Sequence, residues 1–227
     1  MTTRCSRSRG LSVSLDDLPA TVGIAVASAD GQTQSFGTWT SGVAWSTIKV
    51  PLAVAALRAG VSAPVDLVIT DSDNAAAEEL WAQLGDRAAQ LVQAVLREAG
   101  DTATVVESRR LRTEYTPFGQ TRWSLIDQAR FAAGLTQIPD AIRVVDLMGG
   151  LRAEHGWGLA AKGFAAKGGW GPGFGDDYLV RQFAVVPTAS GVVGVTLAAD
   201  VPAGGYEVGI EVVDALADWV VDRLAQQ

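Results

Sequence analysis

Runs that favour β-strand stand at both ends of this 227-residue chain, and a mainly helical middle separates them. Thr21–Ser28 and Gln34–Trp39 are short β-favouring runs joined through Asp30-Gly31, a strong hairpin signal. Strand patterns return at Gly163–Lys167, Tyr178–Val186 and Gly191–Ala198, with a Gly-Pro-Gly turn across Gly171–Asp176. Between them, helical spacing predicts helices over Ser46–Ala59, Asn74–Leu84 and Asp86–Ala99, closed by Gly60, Gly85 and Gly100. It also predicts helices from Trp123 to Ala132 and from Ala141 to Met148, while 101–122 reads as a long loop with at most one short strand. A last helix is expected over Gly209–Leu224, with Val213, Leu216 and Val220 on one face. The fold class that satisfies this order is α+β: an antiparallel sheet closed by both termini and flanked by helices, with a helical lobe inserted between its strands. One domain over 11–227 is expected, its α/β lobe drawn from 11–45 and 150–227 and its helical lobe from 46–149. Residues 1–10, polar and basic, read as a disordered end.

Charge and ligand chemistry narrow the function. A formal charge of −7 argues against a nucleic-acid surface, and no apolar run approaches the roughly 18 residues of a membrane span. Cys5 and His155 are single in the chain, so neither an internal disulfide nor an ordinary zinc site can be built from them, and no cofactor or metal is expected. A Ser-His-Asp triad would need His155 beside a serine; in Glu154-His155-Gly156-Trp157 a structural role is the simpler reading.

The chemistry concentrates in three short motifs: Ser46-Thr47-Ile48-Lys49, Ser72-Asp73-Asn74 and Lys167-Gly168-Gly169. Of 18 basic residues only three are lysines, and two of those three fall inside the motifs. Ser46 and Lys49, three residues apart at a helix start, share a face. A serine hydroxyl becomes a nucleophile when a base takes its proton, and a lysine serves as that base when burial or a second cation lowers its pKa. Lys167 is the candidate second cation, Ser72 the candidate proton relay, and Asn74 the candidate holder of a substrate amide and a lysine. Gly168 and Gly169 would let a substrate approach the strand backbone, and the amides of Ser46 and Trp170 would form an oxyanion hole. Read singly, each motif is also an ordinary helix cap or turn. Trp45, Trp157 and Trp170 adjoin the motifs and are read first as packing residues, and Arg109, Arg110 and Arg112 as a solvated loop face.

Taken together, the motifs resemble those of the serine β-lactamase and penicillin-binding protein superfamily, S-x-x-K, S-D-N and K-T-G in order. The stretches Ser46–Leu57 and Ser72–Gly85 look like the corresponding helices of class A β-lactamases, and the resemblance runs over about residues 20–225. It implies the superfamily's fold and an acyl-serine intermediate formed on a β-lactam, a D-alanyl peptide or a small ester. It also implies work outside the cytoplasm, at the cell wall. Three departures accompany it. Only 25 residues separate Ser46 from Ser72, which predicts a shortened helical lobe. Gly168 stands where the superfamily has a hydroxyl that helps bind a substrate carboxylate, and Arg181 is the candidate replacement. The glutamate that activates the deacylating water has no clear counterpart, with Glu107 and Glu114 as the nearest candidates. The competing readings are a non-catalytic module that binds a cell-wall peptide, a sugar or a protein in the same cleft, and a promiscuous esterase.

Overall fold

In a computed structural model, which describes residues 14–61, 64–173, 175–202 and 205–226, strands from the first and last parts of the chain share one sheet. Strands β1 (Thr21–Ser28) and β2 (Thr33–Gly37) form the N-terminal hairpin. After β3 (Ser41–Val43) come a 3₁₀ turn over Trp45–Ile48 and helices α1 (Lys49–Arg58), α2 (Val65–Thr70), α3 (Asn74–Leu84) and α4 (Ala88–Glu98). Strand β4 (Arg122–Ser124), α5 (Leu125–Leu135) and α6 (Ile142–Met148) follow. Strands β5 (Ala165–Pro172), β6 (Asp177–Thr188) and β7 (Gly191–Pro202) lead to the last helix, α7 (Tyr206–Leu224). The five long strands run antiparallel in the order β2-β1-β7-β6-β5, and β3 pairs with β4 separately. The α+β architecture read from the sequence is therefore the one observed. The N-terminal end and its Cys5 lie outside the described residues.

Each face of the sheet has its own core. Val180, Ala184, Val195, Leu197 and Ala199 pack against Val212, Val213, Leu216 and Val220 of α7. Ala25, Ala27 and Ala198 pack under Leu125, Ala129 and Ala133 of α5. Helix α1 is buried from Lys49 to Ala56, which makes it the axis of the helical lobe, surrounded by Val68, Leu80, Val92 and Phe131. Helices apolar on every side belong in such interiors. Pro51 is accommodated because the first turn of a helix leaves its N–H groups without intrahelical acceptors.

The departures from expectation are local. Helix α2 was not legible: its six residues, Val-Asp-Leu-Val-Ile-Thr, are too few and too β-branched to show a helical period. Among the described residues it is the one helix between α1 and Ser72. Trp123, expected in a helix, belongs to β4; Ser124 caps α5, its Oγ accepting from the Asp127 N–H at 3.1 Å. Strand β5 starts at Ala165 and runs through Gly171 to Pro172, which shortens the expected turn. Helix α7 begins three residues earlier than its periodicity suggests. Arg112 is not a solvated residue: its guanidinium lies over Tyr115 at 4.5 Å and Trp45 at 5.1 Å and donates to the carbonyls of Pro172 and Gly173. It thereby ties the 101–122 loop to the end of β5.

Candidate active site

Ser46 lies in the 3₁₀ turn that feeds α1, so Lys49, the first residue of the α-helix, follows it by one tight turn. Trp45, just before it, holds φ = 51°, and Ser72 holds φ = 54°, a region that side-chain-bearing residues seldom occupy. One such residue beside a motif serine and one at a motif serine are the kind of backbone strain that concentrates at functional sites. Asp73 caps α3, its Oδ1 accepting from the Ala76 N–H at 2.7 Å, which sets Asn74 as the first residue of the helix at the cleft. The cleft between α1, α3 and β5 has a volume of about 300 Å³, and Ser46, Lys49, Ser72, Asn74 and Trp170 all line it.

Both motif lysines are buried to 1 % exposure and converge on Ser72. Lys49 Nζ donates to the Ser72 carbonyl, to Asn74 Oδ1 at 2.7 Å and, more weakly, to Ser72 Oγ at 3.4 Å. Lys167 Nζ donates to Ser72 Oγ at 2.8 Å and to the Gly168 carbonyl at 3.2 Å. Burial disfavours the charged ammonium, and it lowers the Lys49 pKa to about 7 even though the Asp73 carboxylate opposes the shift. Burial, and then the charge of Lys49, pull Lys167 well below the ordinary lysine range. A lysine that is half neutral near pH 7, in a cleft with a serine one turn away, can take a proton from it. Among the described residues no side-chain hydrogen bond joins Ser46 to Lys49, a contact that commonly closes only when substrate is bound.

Strand β5 is the edge of the sheet, so alternate N–H groups along it point away from β6. A methyl placed on Gly169 would lie 2.8 Å from the Ser46 nitrogen and 3.0 Å from that of Thr47, so only glycine permits this approach. It brings the backbone leading into Trp170 beside the first amides of the Ser46 turn. The Trp170 side chain belongs to an aromatic wall, 4.9 Å from Tyr206 and 5.4 Å from His155 between ring centroids. Gly168 faces the other way. A methyl there would sit 2.6 Å from Cζ2 of Trp157, which is buried, so the indole fills the space a threonine side chain would need. Gly168→Thr is accordingly expected to destabilise the protein by about 1–3 kcal/mol through overpacking, read as a lowered midpoint in chemical denaturation.

Three sequence expectations change. Arg181 is not in the cleft: it is fully buried and its guanidinium donates to the carbonyls of Gly42, Val43 and Trp123 and to Gln128 Oε1. With no solvent access it cannot meet a substrate carboxylate. Glu107 is turned onto Arg109 and nearby backbone amides and does not line the cleft, whereas Glu114 does. Backbone hydrogen bonding, helped by the Thr113 hydroxyl, holds the Glu114 carboxyl below its usual range. His155, read as structural, does line the cleft; its Nε2 lies 3.1 Å from the Asp71 carbonyl and so carries the proton in that contact. Burial pushes its pKa down. That signal was invisible because it depends on the 149–156 segment folding back onto the Asp71-Ser72 bend, where the Arg152 N–H also donates to the Thr70 carbonyl.

No protein-family model matches the chain, and no curated protein matches it in sequence. Solved structures do match its fold. A class A β-lactamase from Bacteroides cellulosilyticus superposes with a TM-score of 0.75 at 13% identity, covering 94% of this chain and 95% of that one. The TLA-3 extended-spectrum β-lactamase gives 0.71 at 12% identity, covering 91% and 95%. PBP-A gives 0.68 at 20% identity, covering 97% and 93%. The chain has the β-lactamase-like fold that the motif resemblance implied.

Proposed function

We propose that this chain, with the fold shared by class A β-lactamases and PBP-A, is a serine hydrolase or acyl transferase that works through an acyl-Ser46 intermediate. The observation that carries the reading is the convergence of two buried lysines on one serine hydroxyl, in a cleft that a second serine shares. Isolated buried ammonium groups are costly, and like charges this close oppose each other, so the pair is a functional device before it is a structural one.

In the proposed reaction Ser46 Oγ adds to the acyl carbonyl carbon while its proton passes to Lys49 Nζ. The oxyanion is received by the N–H groups of Ser46 and Trp170. The proton then travels through Ser72 Oγ to the leaving nitrogen or oxygen, the bond from the acyl carbon to that atom breaks, and the acyl group remains on Ser46. Lys167 holds the Ser72 hydroxyl, and the Lys49 charge in turn disfavours a second ammonium at Lys167. Asn74 holds Lys49 and is placed to meet a substrate amide. Water or an acceptor amine completes the cycle by displacing Ser46. Candidate substrates are β-lactams, D-alanyl peptides and small esters, and cell-wall chemistry of that kind would place the protein outside the cytoplasm.

Among the described residues, Glu114 and Glu78 are the glutamates that line the cleft, and Glu78 is paired with Arg110 at 2.9 Å. Glu114 is held below its usual basicity by backbone hydrogen bonding and the Thr113 hydroxyl, and Glu78 is taken up by Arg110, so deacylation is expected to be slower than acylation. A penicillin or an activated ester should give a burst of about one equivalent per protein followed by slow turnover, read by stopped-flow absorbance and by the mass of the accumulated adduct. Steady turnover without a burst would show that an efficient deacylating base is present. The reading as a non-catalytic binding module predicts no adduct at all.

A further inference from the structure

The side chain that leaves the cleft points to a second role. Strand pairing sets Arg181 directly opposite Gly169, on the sheet face that carries Lys167. Because Gly169 has no side chain, the Ala44–Thr47 turn can settle against β5 at this point, and the Arg181 guanidinium runs beneath it. From there hydrogen bonds continue without a gap. Arg181 Nη2 donates to Gln128 Oε1 at 2.7 Å, Gln128 Nε2 donates to Thr47 Oγ1 at 2.9 Å, and Thr47 Oγ1 donates to the Ala44 carbonyl at 2.6 Å. Arg181 Nη1 meanwhile holds the carbonyls of Gly42 and Val43, in the strand that enters the turn. Arg181, Gln128 and Thr47 are all fully buried.

A core cation is expensive, and among the described residues no carboxylate is hydrogen-bonded to this one. Burial lowers its pKa only to about 9, so it stays charged at neutral pH. Charged donors make stronger hydrogen bonds than neutral ones, and a chain of such bonds polarises along its length. The turn it reaches is the one in which Trp45 is held at positive φ. We infer that Arg181, acting through Gln128 and Thr47, is the positioning residue that locks the Ala44–Thr47 turn and so aims Ser46 and its amide. The inference rests on the reading of Ser46 as the nucleophile.

Thr47→Val tests it with little change of shape, Thr47→Ser keeps the hydroxyl, and Arg181→Met removes the cation where that variant folds. Two readouts separate bracing from chemistry: hydrogen exchange of the peptide covering Ala44–Ile48, and the rate of fluorophosphonate attachment to Ser46 across a concentration series. Thr47→Val is expected to speed exchange in that peptide by about tenfold, with α7 unchanged, as loss of a buried hydrogen-bonded link would do. It should slow the maximal labelling rate by about 10–100-fold while leaving half-saturation within a factor of about three, the signature of lost orientation. Thr47→Ser should restore both. Unchanged exchange in Thr47→Val overturns the inference, as does a loosened turn that still labels at the wild-type rate. If wild-type Ser46 takes no label, the proposed function fails by itself, and exchange alone decides whether Arg181 braces the turn.

Discussion

Lys49→Met should slow the acylation of Ser46 by a factor of about 10²–10⁴, the usual contribution of a positioned general base. Methionine has nearly the length of lysine, so the helix-facing volume is retained while the amine disappears. The variant gives up hydrogen bonds to Asn74 Oδ1 and to the Ser72 carbonyl, yet it also removes a buried ammonium, so it is expected to fold. The wild-type pH profile supplies the diagnostic readout. Below pH 7 most Lys49 is protonated and has no lone pair to accept the Ser46 proton; above it most is free. Acylation should therefore rise with pH through about 7 and level off above it, and Lys49→Met should flatten that rise. Rates measured from pH 5.5 to 9 with an uncharged activated ester would show both effects without a titrating substrate. A wild-type profile flat across neutrality would remove Lys49 from the role of base.

The second large effect is expected at Ser72, and it should depend on the leaving group. Ser72 Oγ receives hydrogen bonds from both lysines, so it is the atom through which a proton can pass from Lys49 toward the departing group. A nitrophenolate leaves without being protonated, whereas the nitrogen of an amide or a β-lactam ring does not. Ser72→Ala is thus expected to lower acylation by a penicillin by about 10²-fold or more and by a nitrophenyl ester much less. The comparison is made by second-order acylation rates on the same preparation. Equal losses for both substrates would point to a purely structural part for Ser72, whose φ of 54° an alanine tolerates poorly.

Much of the architecture was legible because strand and helix periods differ and the motifs fall at element boundaries. Ser46, Lys49, Ser72, Asn74 and Lys167 could be grouped because short spacings at helix starts and a glycine pair after a lysine carry chemical meaning. What was hidden depends on pairing across the sheet. The run Leu179–Val186 is buried on both faces, so its composition does not say which face Arg181 takes; only the register with Gly169 decides that. The Gln128–Thr47 hydrogen bond joins residues 81 apart in sequence and exists because the fold brings α5 to the Ala44–Thr47 turn. Trp157 explains Gly168 through a contact that no local pattern contains. His155 was discounted because a lone histidine ordinarily serves packing, and its place in the cleft follows from the fold of a connecting segment.

The central claim is that Ser46 is an activated nucleophile. The most direct measurement is intact mass spectrometry after incubation with a fluorophosphonate and, separately, with a penicillin, followed by peptide mapping and by the same incubation of Ser46→Ala. A single adduct on the peptide containing Ser46, absent from the folded Ser46→Ala protein, is the predicted result. A folded wild-type protein that takes no adduct from either reagent, or takes it elsewhere, would contradict the account and favour a cleft that binds without reacting.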